Sequence, residues 1–308
     1  MLWILGSEGK GYWGKEFVTR FLLFYDPDAR FEYRNCSECH LIIRSNFLHL
    51  EPAWNTIPKP YIYWSGETYF PWPPSPYQTK ALYLLTTLIS QSTMNHFLNS
   101  TNYLYIPYCL YSRLIYQPRL QPADSINDKY FLAYCNSHKV SEREQLFSLF
   151  VKAKGSEQCH SYGSCYGDFP ETQRSFPESC RSYNRDHVVL VYTHYRFVLA
   201  MENQCVPGYI TEKIVSVFRS GAIPIYWGSS NCCELFNPKA FINVNNFDTF
   251  QECVAYVTNL SEESQLQMLQ EPIYRGDLGH LFDSEYNRTH SNTILTHYQE
   301  LFKNFISK

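Results

Sequence analysis

Residues 201–214, MENQCVPGYITEKI, join two apolar segments whose patterns differ. Upstream, residues 196–200 (RFVLA) read as a strand. Downstream, Ile214, Val217 and Phe218 recur at i, i+3 and i+4, the spacing of an amphipathic helix over 211–220. Gly221 is placed to end that helix in the left-handed conformation. Residues 222–227 (AIPIYW) then return as a strand, and Pro224 predicts an irregular start to it. Strand, polar loop, helix and strand in that order form a parallel α/β unit, which sets the fold class.

The loop 202–209 occupies the position where ligands bind in open α/β sheets, beyond the carboxyl ends of the strands. A helix N-terminus offers unpaired N–H groups to an anion. Lys213, in the first turn, carries the wrong charge for the helix dipole. An anionic ligand such as a phosphate would reverse that penalty, and Glu212 could accept hydrogen bonds from sugar hydroxyls. The same two residues also read as a solvated Glu-Lys pair on a surface helix.

Outward from this unit, the chain repeats the pattern. Residues 130–135 (YFLAYC) read as a strand, and 141–152 as a helix with Leu146, Leu149 and Phe150 on one face. Asp248 starts a further helix carrying Phe250, Val254 and Val257. In the first part, residues 2–5, 40–44 (HLIIR) and 61–64 (YIYW) read as strands, with a helix over 15–25. The best linker is 117–128, QPRLQPADSIND, with two prolines and little apolar material. Two halves of this kind would face each other across a cleft.

Bulk properties narrow the function. The chain has 308 residues, enough for one large domain or two smaller ones, and no internal repeat. A hydrophobic fraction of 44% and a charged fraction of 18% belong to a folded protein. Net charge is −3 without a basic run, which argues against a nucleic-acid partner. No stretch reaches the about 20 apolar residues of a membrane helix. The short apolar start at 1–5 lacks the features of a signal peptide, so the expected location is cytoplasmic unless the chain is a trimmed part of a secretory-pathway enzyme. Aromatic residues make up 17%, which suits either a tyrosine-rich core or the binding of ring-shaped polar ligands. With no export signal, the eleven cysteines are expected to be mostly free thiols.

The stretch YRFVLAMENQCVPGYITEKIVSVFRSGAIPIYWGSS closely resembles the donor-binding signature of the α-1,3-fucosyltransferases, glycosyltransferase family 10. Tyr195, Phe197, Leu199, Glu202, Asn203, Tyr209, Ile210, Thr211, Glu212, Lys213, Pro224 and Gly228 fall on the family pattern. Arg196, Met201 and Gln204 depart from it, mildly. The likeness continues through FNPKAFINVNNFDTFQECVAYV, to about residue 260.

The resemblance implies an α/β protein of two Rossmann-like domains, the GT-B fold. It would comprise an acceptor domain at 1–122, a GDP-fucose-binding domain at 123–290, and a helix at 291–308 packing back on the first. It implies an inverting, metal-independent transferase that uses GDP-fucose as donor substrate and needs no cofactor. The acceptor would be a glycan, at the 3-OH of an N-acetylglucosamine. Donor-site residues would be Arg143, Glu202, Asn203, Tyr209, Thr211, Glu212 and Lys213, with Arg143 and Lys213 at the diphosphate. In KPYIYWSGETYFPW, Glu67 matches the family's Gly-Glu segment and would be the general base. The alternatives are a related transferase with another nucleotide sugar, and a catalytically silent nucleotide- or sugar-binding module.

Three patterns compete for other chemistry. Cys36-Ser-Glu-Cys39-His40 fits the haem-attachment motif, but runs directly into the apolar HLIIR, so ordinary thiols are favoured. No two cysteines of Cys159, His160, Cys165 and Cys180 have the two- to four-residue gap of a zinc-binding cysteine pair. Asp26-Pro-Asp28 resembles a D-x-D metal motif, yet it follows the helical pattern of 15–25 and reads as the turn that ends it.

Overall fold

The structure, a computed structural model, describes residues 128–177 and 185–275 continuously, together with Cys109, Ile126 and six strands of the N-terminal half. The chain divides into two compact units, the first boundary falling between Tyr111 and Ser112.

The first unit contains β1 (Leu2–Ser7), β2 (Arg30–Arg34), β3 (Leu41–Ser45), β4 (Tyr61–Ser65), β5 (Ala81–Thr86) and β6 (Tyr103–Tyr105). All pairings are parallel, in the order β2-β1-β3-β4-β5-β6. Apolar runs such as LWILGS and ALYLLT suit strands covered on both faces, as a parallel sheet requires. Chain direction across the sheet reverses between β1 and β3, the mark of a doubly wound sheet. The predicted helix over 15–25, Glu67, the Cys36–Cys39 motif and Asp26-Pro-Asp28 lie outside the described residues.

The second unit repeats the plan. Its elements are β7 (Tyr130–Asn136), α1 (Ser141–Lys154), β8 (Cys159–Gly163), α2 (Arg185–Tyr192), β9 (Tyr195–Met201), α3 (Glu212–Ser220), β10 (Ile223–Trp227), a helical turn α4 (Cys232–Leu235), β11 (Ile242–Asn243), α5 (Phe250–Asn259) and α6 (Glu262–Gln270). Strand order is β11-β10-β9-β7-β8, again all parallel, and the reversal falls between β7 and β9. Right-handed crossovers place helices on both faces, and α1 packs with α5 while α2 packs with α3. Leu146, Phe147, Phe150 and Val151 of α1 meet Leu132, Tyr134, Phe197 and Leu199 in one continuous core. Full burial of each such side chain contributes about 1.5–3 kcal/mol. Ile126, at the end of the predicted linker, already belongs to this core.

Several local expectations change. Phe147 and Val151 are buried in α1 while Leu149 is only partly so, because the helix turns its face toward α5 as well as the sheet. β8, CHSYG, carries polar residues that hid it from a hydrophobicity reading, yet it pairs with β7 along its length. Pro224 lies inside a regular strand: β10 pairs with β9 throughout, but with β11 only at Ile225 and Tyr226. Lacking an N–H, Pro224 therefore loses no ladder bond to β11. No helix among the described residues is long and apolar enough to cross a membrane.

Candidate functional site at the sheet reversal

β7 and β9 diverge at their carboxyl ends, where one chain leaves for α1 and the other enters the loop 202–211. The apolar strand YRFVLAM ends at Met201, and Glu202 follows with its N–H donating to the Trp227 carbonyl of β10 (2.8 Å). Glu202 is 0% exposed. Its Oε1 accepts from the Thr211 N–H (2.7 Å), and its Oε2 accepts from the Thr211 hydroxyl (2.8 Å) and from Lys213 Nζ (3.1 Å). Both ends of the loop are thereby fastened to one carboxylate.

Thr211 is the N-cap of α3, the residue type favoured there because its oxygen accepts a first-turn N–H. The hydroxyl donates to Glu202 and accepts from the Lys213 N–H (3.4 Å) and from Lys213 Nζ (3.0 Å). One donor and two lone pairs are all in use, so this oxygen is saturated. Gly221 closes α3 with φ 78°, ψ 16°, as the sequence predicts.

This network explains the wrong-way lysine without a ligand. The anion at the amino end of α3 is Glu202, the protein's own carboxylate. Lys213 Nζ donates to Glu202 and Thr211, two bonds for three N–H groups, and its side chain remains 25% exposed. One ammonium N–H is thus left for whatever approaches from solvent.

Arg143, in the first turn of α1, crosses to the same loop. It is 1% exposed. Nε donates to the Glu202 carbonyl (3.0 Å), and Nη2 to the Met201 carbonyl (2.8 Å) and to Asn203 Oδ1 (2.6 Å). Nη1 donates to the His138 carbonyl (3.4 Å) at the exit of β7. The guanidinium fork ties the ends of β7 and β9 together across the reversal. Its rigid geometry matches several oxygens at once, which an ammonium would not.

Tyr209 is buried, and its N–H donates to the Val206 carbonyl (3.1 Å). Glu212 is partly exposed at the first position of α3. The structure therefore joins Arg143, Glu202, Asn203, Thr211 and Lys213 in one hydrogen-bonded network, with Tyr209 and Glu212 adjacent in the chain.

Residues 127–269 match the family described as glycosyltransferase family 10 (fucosyltransferase), C-terminal part. The second unit belongs to glycosyltransferase family 10. Among relatives, an alpha-(1,4)-fucosyltransferase of Arabidopsis thaliana is 36% identical over 112 residues, covering 34% of this chain and 28% of that protein. The alpha-(1,3)-fucosyltransferase FucT of Helicobacter pylori is 43% identical over 81 residues, covering 26% and 17%. The matches thus span less than a third of either relative's length. A crystal structure of an alpha1,3-fucosyltransferase with GDP superimposes with a TM-score of 0.63 at 16% identity, covering 100% of this chain and 91% of that one. The fold is GT-B.

Within the family 10 domain, three supporting residues escaped the sequence reading of the site. Asn245 Nδ2 and Cys205 Sγ both donate to the Gly228 carbonyl (2.9 and 2.8 Å), linking the loop to the exits of β10 and β11. Tyr226 OH accepts the Ser229 N–H (3.2 Å) beneath them. No periodicity marks these positions, since each acts through a turn. Among the described residues, Cys135, Cys159, Cys165, Cys205, Cys232, Cys233 and Cys253 are free thiols. Burial pushes Cys135, Cys159 and Cys253 up to about 12, so they stay protonated at neutral pH. Cys180, of the zinc-like group, lies outside the described residues.

Gly228 is required by close approach. A Cβ there would stand 2.6 Å from Glu202 Cγ and 2.6 Å from Tyr226 OH, both side chains buried. Gly228→Ala is expected to destabilise the domain by about 1–3 kcal/mol through overpacking. The thermal midpoint should fall by about 3–10 °C. A variant melting with the wild type would show that Glu202 has room to move.

Proposed function

We propose that this protein transfers L-fucose from GDP-fucose to a sugar hydroxyl of a glycan, with inversion at the anomeric carbon. The observation that carries this reading is the Glu202-centred network at the sheet reversal of a family 10 domain, with Lys213 held at its outer face. The donor diphosphate lies against Lys213, whose remaining N–H stabilises charge developing on the leaving GDP. Asn203, Tyr209, Thr211 and Glu212 shape the nucleotide-sugar site. Glu202 acts by holding the loop. Arg143 holds it from the other side, and a direct bond to the diphosphate would need its buried guanidinium to turn outward.

The first domain, 1–122, supplies the acceptor site and the second, 123–290, the donor site; the segment 291–308 lies outside the described residues. Glu67, two residues beyond the carboxyl end of β4, takes the acceptor hydroxyl proton. The oxygen attacks C1 of fucose opposite the diphosphate, the C1–O bond to GDP breaks, and GDP leaves as the anion. With the Lys213 ammonium as the cation at the diphosphate, the step needs no divalent metal. The 3-OH of N-acetylglucosamine is the acceptor position that the family signature favours.

Incubation with GDP-fucose and N-acetyllactosamine in EDTA tests the reading. GDP release and a mass gain of one deoxyhexose on the acceptor are expected. GDP binding without transfer to any member of a glycan panel would instead favour a silent binding module, and tighter binding of UDP or ADP would indicate another donor.

A further inference from the structure

The second unit holds a cavity of about 510 Å³ on the far side of β10 from the Glu202 network, between β11 and helices α5 and α6. Its volume lies in the range of small-ligand sites. Three aromatic residues line it, Phe241, Phe247 and Tyr256, and the rings of Phe247 and Tyr256 have centroids 5.4 Å apart and planes at 47°. Tyr256 is 48% exposed. Around the rings stand Asn246, Gln267, Lys239 and Glu271. Among the described residues, the side chains of Asn246, Gln267 and Lys239 make no intramolecular hydrogen bond, and each is exposed. Glu271 Oε2 accepts from Asn237 Nδ2 (3.0 Å).

This lining selects a ligand class. One ammonium and one carboxylate cancel, so no field favours a phosphate or another charged group. Amides offer donors and acceptors together, which is what neutral hydroxyls need. An exposed aromatic face suits the apolar face of a sugar ring better than it suits water. We propose that this cavity binds a neutral saccharide unit of the acceptor glycan, remote from the unit that receives fucose. The choice of a glycan as ligand rests on the transferase reading above. Engaging a second unit of the same chain would raise affinity for long acceptors through effective concentration, with no change at the donor site.

The test uses the whole protein, a neutral N-acetyllactosamine tetrasaccharide and the matching disaccharide. Isothermal titration is expected to show tetrasaccharide binding in the millimolar range or tighter. Tyr256→Ala and the double variant Asn246→Ala/Gln267→Ala should each weaken it about tenfold. All three positions are exposed, and GDP affinity should be unchanged, which reports that the domain is folded. In the transfer assay, KM for the tetrasaccharide should rise several-fold in both variants while KM for the disaccharide stays constant. Wild-type protein that binds no neutral saccharide, or variants that bind it as the wild type does, would overturn the proposal. Tyr256-dependent saccharide binding in a protein that does not turn over GDP-fucose would uphold the pocket and refute the transferase reading.

Discussion

Glu202→Ala is expected to lower stability by about 3–4 kcal/mol and to weaken GDP binding at least tenfold. The carboxylate accepts from three donors on Thr211 and Lys213, and is itself fully buried. Its removal strands the Thr211 N–H and leaves Lys213 with one partner. Because Lys213 reaches water, part of that loss is recovered by hydration, which sets the upper bound. A drop of about 6–15 °C in the melting midpoint follows for a domain of this size.

Glu202→Gln separates charge from shape. With its nitrogen at the Oε2 position, the amide meets the Lys213 ammonium, a donor facing a donor. Flipped, the nitrogen meets the Thr211 N–H, with the same conflict. Glutamine should therefore recover less than half of the lost stability, whereas a residue acting only by packing would be rescued fully. Differential scanning calorimetry with parallel GDP titration distinguishes the two.

Glu67→Gln is expected to reduce transfer by about 10²–10⁴-fold, the usual contribution of a general base. Glutamine keeps the size of the side chain but cannot accept the hydroxyl proton. GDP affinity should change less than about twofold, because a base on the acceptor side does not touch the leaving group. Rapid-quench measurement of single turnover, beside a GDP titration, checks both. Weakened GDP binding at normal single-turnover rate would assign Glu67 to the donor instead.

Much of this was legible in the sequence, and the omissions have physical causes. RFVLA, AIPIYW and the i, i+3, i+4 spacing of Ile214, Val217 and Phe218 marked β9, β10 and α3 because those elements bury continuous apolar surface. Gly221 marked the helix end because only a residue without Cβ adopts φ 78° easily. By contrast, β8 is built from Cys159, His160, Ser161 and Tyr162, and its polar groups are satisfied by partners far away in the chain. His160 Nδ1 lies 2.8 Å from Tyr195 OH, and Ser161 Oγ 3.1 Å from Thr172 Oγ1. A residue pattern cannot announce pairings of that kind.

The candidate site shows the same division. Local spacing placed Lys213 at a helix start and raised the question of its counter-charge. The answer lay eleven residues back, in Glu202, and became visible only when the loop folded both ends onto one carboxylate. Arg143 was singled out only by the family resemblance, since its spacing alone reads as a surface residue in a helix turn. Its attachment to carbonyls of Met201 and Glu202, 58 and 59 residues away, was not legible. In consequence, Arg143 and Glu202 both hold the loop, and Lys213 keeps one N–H toward solvent.

The most direct test of this account compares GDP with guanosine binding in wild type and in Lys213→Ala. If Lys213 meets the diphosphate, GDP affinity falls about 10–100-fold in the variant while guanosine affinity is unchanged. Equal GDP affinity in the two proteins, or wild-type protein that binds guanosine as tightly as GDP, would contradict it.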